Sequence, residues 1–127
     1  MYQGQSLRCT KLPGDIAELC FDRQDAPINK FDRQTLAELA EVAKALGDDA
    51  SIKGLVVTSA KTGFIVGADI LEFGAVFAQP EAQIVQWLFD ANQIFNAIED
   101  LPFPSVTAIN GIALGGGMEM CLSTDYR

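Results

Sequence analysis

The sequence contains no histidine among its 127 residues. Serine–histidine and cysteine–histidine nucleophilic pairs are therefore excluded within these residues, as are the usual zinc and iron sites. The three cysteines, Cys9, Cys20 and Cys121, are odd in number and widely spaced, so no disulfide framework or CxxC pair is predicted. This pattern favours small buried thiols in a reducing compartment, and we predict no metal site.

Basic residues and long apolar runs are also scarce. Nine Lys and Arg against seventeen Asp and Glu give a net charge of −8, and no basic cluster is present, so a nucleic-acid partner is not predicted. No run approaches the roughly 18 apolar residues that a membrane span needs. Met1–Ser6 lacks the basic and apolar regions of a signal peptide. We therefore predict a cytoplasmic protein without a membrane span.

Three common motifs are missing as well. GxxxxGK[ST], GxGxxG and GxSxG do not occur, which argues against a P-loop, a dinucleotide fingerprint and a nucleophile elbow in these residues. The residues that are present, 49% hydrophobic and 20% charged, are typical of one soluble globular domain.

Three strands are predicted in the first half of the chain. Alternating apolar and polar residues indicate strands at Ser6–Leu12 and Ile16–Phe21, joined as a hairpin through Pro13-Gly14-Asp15. Gly54–Ser59 is apolar on both faces, which is typical of a strand in a sheet covered on both sides.

The helices are predicted from periodicity and caps. Asp32 is an expected N-cap for an amphipathic helix over Arg33–Leu46, with Gly47 as its stop. A short helix is expected through Leu71–Phe73, and a longer one from Pro80 to Asp100. Together with the strands, this order indicates an α/β protein. The aromatic residues of the longer helix are predicted to serve packing rather than a cofactor site: Trp87, Phe89 and Phe95.

The most informative stretch lies near the end of the sequence. Val106–Ile109 resembles a buried strand, and Gly115–Gly117 leads into a helix over Met118–Leu122 that is otherwise suited to the core. Three consecutive glycines cost backbone entropy. They indicate either close approach of a ligand or N–H groups aimed at developing negative charge.

Glu119 has two interpretations within that stretch. A carboxylate among core residues needs a partner or a chemical role, but glutamate in a first helical turn is often only a capping residue. A second glycine turn, Gly67-Ala68-Asp69, also connects a strand to a helix. Two such turns and one carboxylate suit a reaction in which a carbonyl oxygen gains charge while an acid moves a proton.

These residues match a known family. Phe64–Ile70 together with Asn110–Glu119 resembles the enoyl-CoA hydratase/isomerase (crotonase) superfamily. Gln86–Pro102 and Ser123–Arg127 are most similar to its multifunctional members in bacterial fatty-acid β-oxidation. The resemblance implies an α/β, crotonase-like spiral of β-β-α repeats that is incomplete here, with residues 1–127 expected to be the N-terminal portion of a hydratase/isomerase domain.

The resemblance also implies roles for particular residues. Two backbone N–H groups form the family's oxyanion hole, and by motif position they come here from Ala68 and Gly116. Glu119 matches the first of two catalytic glutamates in the hydratases. The loop Asp25–Phe31 is expected near the CoA portion. Five neighbouring residues are expected to contact substrate: Val66, Gly67, Asp69, Gly115 and Gly117.

By the same resemblance, the substrate is an acyl-CoA thioester and hydration needs no cofactor. NAD serves only a separate 3-hydroxyacyl-CoA dehydrogenase region of the multifunctional members, and the expected partners are further copies of the chain and a thiolase β subunit. The second catalytic glutamate is expected beyond Arg127. Residues 1–127 alone are therefore either part of a hydratase or isomerase, or a silent CoA-binding or self-associating module. Asp69 remains open as a helix cap, an ion-pair partner or a ligand contact.

Overall fold

The computed structural model describes all residues from 1 to 127. Its sheet has five strands in sequential order: β1 (Tyr2–Gln3), β2 (Leu7–Leu12), β3 (Ile16–Phe21), β4 (Gly54–Ser59) and β5 (Ser105–Thr107). β1, β2 and β3 are antiparallel, whereas β3, β4 and β5 are parallel. The predicted hairpin and the strand after the first helix are confirmed, and the two-residue β1 was not predicted.

Four α-helices complete the chain: α1 (Arg33–Asp48), α2 (Phe73–Phe77), α3 (Glu81–Glu99) and α4 (Gly116–Leu122). A 3₁₀ turn at Ile70–Glu72 precedes α2. None of these helices has the length and apolar content that crossing a bilayer requires.

A second set of short parallel pairings lies between the sheet and the helices. Phe31 pairs with Ala68, and Ile65 pairs with Ala113. Each turn of the chain therefore runs through a sheet strand, a short second strand and then a helix. This arrangement confirms the expected spiral of β-β-α units, because β3, β4 and β5 each begin one such turn.

The first helix begins as predicted but ends later. Asp32 caps α1, because its carboxylate accepts hydrogen bonds from the Thr35 backbone N–H (2.8 Å) and hydroxyl (2.9 Å). The prediction that Gly47 stops the helix is wrong. Gly47 has no positive φ, so α1 continues through it to Asp48, and Asp49 is the C-cap.

Asn29 fixes the segment that carries Phe31. Its buried side-chain amide donates to the backbone oxygens of Phe21 and Phe64, both at 3.1 Å, and to the Ser59 hydroxyl at 2.9 Å. These acceptors belong to the ends of two sheet strands and to the second strand of the next turn. One buried amide therefore sets the position of the loop before α1 relative to the sheet.

The core lies between the sheet and α1. The buried apolar side chains of β3 and β4 meet those of the helix: Ala17, Leu19, Phe21, Leu55, Val57, Leu39, Val42, Ala43 and Leu46. The three cysteines are buried thiols, as predicted. The apolar face predicted for α3 is covered only in part, since Ile98 is fully buried but Leu88 is 50% exposed.

Candidate active site

The residues singled out by the two glycine turns meet at one cavity. Ala68, Gly116 and Glu119 all line a space of about 200 Å³, hereafter the site cavity. Ala68 follows the second strand of the middle turn, and Gly116 opens α4 in the last turn. Most of the remaining wall is apolar, formed by Phe31, Leu36, Phe73, Trp87, Leu88 and Phe95.

Backbone pairing determines the direction of the Ala68 N–H. The Phe31 N–H donates to the Gly67 oxygen at 2.8 Å, and the Asp69 N–H donates to the Phe31 oxygen at 2.8 Å. Because successive peptide groups of an extended chain point in opposite directions, the Ala68 N–H points away from Phe31. It has no hydrogen-bond acceptor within the protein.

Asp69 anchors this turn, which we call the Ala68 junction (Gly67–Asp69). One carboxylate oxygen pairs with the Lys30 ammonium at 2.6 Å, and the other accepts the Leu71 N–H at 3.1 Å, which caps the 3₁₀ turn. The hydrogen bond from Lys30 is the largest cause that lowers the pKa of Asp69. The cap and the ion pair, both left open by the sequence, are therefore present together.

The second turn, the Gly116 junction (Gly115–Gly117), depends on the absence of side chains. Gly115 adopts φ 48° and ψ −121° and makes no side-chain cap for α4, a conformation that favours glycine. A Cβ on Gly117 would lie 2.1 Å from the Ile65 oxygen, and one on Gly116 would lie 3.0 Å from the Phe31 ring. The Gly116 N–H, like that of Ala68, has no acceptor within the protein.

Four carboxylates line the site cavity, and three of them are engaged. Asp32 pairs with Arg23 at 2.6 Å, Asp69 pairs with a lysine, and Glu72 accepts a backbone N–H at 3.3 Å. No hydrogen bond or ion pair is made by the carboxylate of Glu119. Its Oε2 lies 3.7 Å from the position of a Cβ on Gly116, so the unpaired acid is beside one of the two free N–H groups.

Comparison with known proteins decides the family. The enoyl-CoA hydratase/isomerase model matches residues 12–127. The chain belongs to the enoyl-CoA hydratase/isomerase family. The fatty acid oxidation complex subunit alpha of Pseudomonas putida strain GB-1 is 53% identical over the whole chain, and that of Pseudomonas aeruginosa strain LESB58 is 50% identical. The chain spans 18% of the length of these relatives.

Solved structures agree with this assignment. An enoyl-CoA hydratase/carnithine racemase from Magnetospirillum magneticum superimposes with a TM-score of 0.86 at 27% identity, over 97% of this chain and 45% of that one. An enoyl-CoA hydratase from Bacillus anthracis gives 0.83 at 27% identity, over 97% of this chain and 46% of that one. The crotonase-like fold implied by the motifs is confirmed.

Within this hydratase/isomerase fold, the expectation that Glu119 lies among core residues is wrong. The flanking methionines suggested a helix suited to the core, but Glu119 is exposed. The reason is that α4 has seven residues and buries only the face that carries Gly117, Met120 and Cys121. Met118 on the other face is 43% exposed.

The five expected substrate contacts divide into two groups. Asp69 lines the site cavity, whereas Val66, Gly67, Gly115 and Gly117 do not. Gly67 and Gly117 are buried, and the Val66 and Gly117 N–H groups donate within the chain at 3.0 and 2.8 Å. These four residues shape the backbone around Ala68 and Gly116.

The apolar wall of the site cavity was not predicted from the sequence. Trp87 and Phe95 were predicted to serve packing rather than a cofactor site, yet both line the cavity. The Phe31 ring meets Phe95 edge-on, with centroids 5.3 Å apart. A signal was available in Phe31, a large aromatic residue within a polar loop between Lys30 and Asp32.

Proposed function

We propose that this chain supplies the oxyanion hole and one acid–base carboxylate of an enoyl-CoA hydratase that acts in fatty-acid β-oxidation. One observation carries the proposal: two backbone N–H groups without acceptors, at Ala68 and Gly116, line the same small cavity as the unpaired carboxylate of Glu119. The substrate is a 2-enoyl-CoA thioester.

In the proposed reaction, the thioester oxygen accepts hydrogen bonds from the Ala68 and Gly116 N–H groups. Both donors stabilise the negative charge that this oxygen gains when a water oxygen bonds to C3 and the C2–C3 electrons shift toward the carbonyl. Removal of one such donor typically lowers kcat by about 10²–10³. No cofactor is needed for this step.

Glu119 acts as the acid–base group in this scheme. It accepts a proton from the attacking water, and a second carboxylic acid delivers a proton to C2 as the enolate collapses. Hydratases of this family use a second glutamate, and the other carboxylates of the cavity already have partners. We therefore propose that full hydration requires a chain longer than residues 1–127. The isomerase reaction, which moves a proton between carbons of the same enolate, uses the same oxyanion donors.

The remaining assignments extend this proposal. Asp69 contacts the acyl-CoA at the cavity wall, while Val66, Gly67, Gly115 and Gly117 bring the backbone close to it. NAD belongs to a dehydrogenase region outside these residues, and a cytoplasmic location and a thiolase β-subunit partner stay predictions.

A second candidate function is a self-associating module without catalysis. It is favoured by apolar side chains around the last turn that face solvent: Ile109, Ile112, Leu114 and Leu122 are 43%, 62%, 57% and 58% exposed. Contiguous exposed apolar surface commonly marks an interface. Light scattering tests this function, and a monomer across a wide concentration range would argue against it.

The hydratase proposal is tested with crotonyl-CoA, by the loss of enoyl-thioester absorbance and by the spectral shift of the bound thioester. The shift reports polarisation by the oxyanion donors without turnover. We expect wild-type chain and Glu119→Gln to produce the shift, and Gly116→Pro, which removes the N–H, to lose it. Gly116→Ala is the matched control because it adds a Cβ but keeps the donor. An unchanged shift in Gly116→Pro would contradict the oxyanion assignment.

Turnover tests the acid–base role of Glu119 separately from the oxyanion donors. If the wild-type chain hydrates crotonyl-CoA and Glu119→Gln does not, Glu119 is catalytic and a longer chain is not required. Glu99→Gln is the control, since Glu99 is exposed at the end of α3 and lines no described cavity. Equal hydration by the wild-type chain and Glu119→Gln would rule out the acid–base role.

A further inference from the structure

Trp87 contributes to the walls of more than one cavity. It lines the site cavity of about 200 Å³ and also a second cavity of about 500 Å³, hereafter the outer cavity. No other residue belongs to both walls. The rest of the outer wall is formed by Arg33, Val76, Gln79, Gln83 and Ile84. The indole is half-buried and is the side chain that the two walls have in common.

Residues on one face of α3 line both cavities. Gln83 and Ile84 line the outer cavity, one turn before Trp87, and Leu88 and Ala91 line the site cavity after it. Residues three or four positions apart share a helix face. One face of α3 therefore leads from the site cavity past the indole into the outer cavity.

The volume of the site cavity is small for a ligand pocket. The N–H donors of Ala68 and Gly116 and the carboxylate of Glu119 occupy one part of the site cavity wall, and apolar side chains such as Phe31 and Phe73 form much of the rest. About 200 Å³ lies below the roughly 300–1,000 Å³ of typical ligand pockets. The two cavities joined would fall within that range.

We propose that Trp87 determines the acyl chain length that the site accepts. An acyl chain extending from the thioester along the apolar wall meets the indole after a few carbons, and a longer chain reaches the outer cavity only when the indole turns aside. This inference rests on the proposed function, because it places the thioester oxygen at Ala68 and Gly116. Val76 and Ile84 then give the longer chain apolar cover in the outer cavity.

The test measures binding rather than turnover. The 127-residue chain and its Trp87→Ala variant are titrated by calorimetry with butyryl-, octanoyl- and dodecanoyl-CoA, saturated thioesters that cannot be hydrated. Each further methylene that finds apolar cover strengthens binding by about fourfold. We expect wild-type affinity to stop rising beyond the shorter chains. In Trp87→Ala, dodecanoyl-CoA should bind at least about tenfold tighter than in wild type, with butyryl-CoA within about twofold.

Two further variants keep the test decisive. Phe89→Ala removes an aromatic side chain from the same helix that is 56% exposed and lines neither cavity, so its chain-length profile should match wild type. Trp87→Leu retains an apolar but smaller side chain and should give an intermediate profile if Trp87→Ala does not fold. Because Trp87 is the only tryptophan, its fluorescence should shift with acyl-CoA but not with free CoA.

The outcomes distinguish this inference from the proposed function. If butyryl-CoA binds and the chain-length profile is the same in wild type and the Trp87 variants, the role of Trp87 is overturned and the proposed function stands. If Phe89→Ala changes the profile as much as Trp87→Ala, the effect belongs to the helix rather than to the indole, and the inference is again overturned. If no acyl-CoA binds the wild-type chain, both fail.

Discussion

The Ala68 and Gly116 junctions place similar backbone donors at one cavity, but they are held by different forces. At the Ala68 junction, two backbone hydrogen bonds to Phe31 and an ion pair between Lys30 and Asp69 fix the chain. At the Gly116 junction no side chain caps the helix. The backbone there packs closely against Ile65, whose oxygen also accepts the Leu114 N–H at 3.1 Å.

This difference predicts different sensitivities. A junction held by an ion pair responds to pH and to loss of either charged partner. A junction held by close backbone approach is insensitive to pH and does not tolerate a methyl group at the point of closest approach, which is Gly117 here. Three substitutions, described from the largest expected effect to the smallest, separate these two modes.

The largest effect is expected at Gly117. Alanine there would place a methyl group 2.1 Å from the Ile65 oxygen, and neither backbone can move without disturbing the pairing of Ile65 with Ala113. We expect Gly117→Ala to lower the free energy of unfolding by more than about 3 kcal/mol, measured by urea denaturation.

Gly47→Ala is the matched control for that substitution. Gly47 lies within α1, and an added Cβ would meet no atom within 4 Å. Alanine should therefore raise the free energy of unfolding by about 0.5–1 kcal/mol. Similar losses of stability at both glycines would show that close approach is not what distinguishes the Gly116 junction.

An intermediate effect is expected at Gly115. Its φ of 48° with ψ −121° is strained for alanine, although the nearest atom to an added Cβ is 3.8 Å away. Gly115→Ala should cost about 1–3 kcal/mol in the free energy of unfolding and should weaken binding of butyryl-CoA. Gly14→Ala provides a control with a φ of 81° in the hairpin turn, and its binding of butyryl-CoA should equal that of wild type.

The smallest effect is expected at Asp69, and it depends on pH. The folded-state pKa of Asp69 is lowered, chiefly by the hydrogen bond from Lys30. A lowered pKa contributes stability that is present above the unfolded value of about 3.9 and is lost as the pH falls through the folded value. The difference in free energy of unfolding between wild type and Asp69→Asn should therefore be constant above about pH 5, shrink as the pH falls below the unfolded value, and vanish only below the lowered folded-state pKa.

Asp48→Asn is the control for that experiment. Asp48 pairs with Lys44 at the exposed end of α1, where both side chains are more than half exposed. Such pairs contribute little to stability, so this variant should match wild type across the titration. A pH-independent difference at Asp69 would show that the negative charge of the carboxylate does not stabilise the Ala68 junction.

The elements with strong local signals were predictable from the sequence. β2, β3, β4 and the start of α1 follow from alternation, a fully apolar run and the Asp32 cap, all of which act between near neighbours. The two glycine turns were also recognisable. The end of α1 was not, because glycine is compatible with a helical backbone as well as with a stop.

The contacts that build the site could not be predicted from neighbouring residues in the sequence. Lys30 and Asp69 are distant in sequence and meet only because the second strands of two turns pair. The exposure of Glu119 depends on what packs over α4, and the position of Trp87 depends on which face of α3 meets a cavity. Helical spacing identifies an apolar face but not its neighbour.

The pairing of Phe31 with Ala68 has a consequence for chain length in this segment. Because alternate peptide groups face opposite edges of a strand, the aim of the Ala68 N–H is set by counting residues from Gly67 and Asp69, which both bond to Phe31. Inserting one residue between Gly67 and Ala68 would turn the Ala68 N–H by about 180°, toward Phe31. Inserting two residues there would restore its direction.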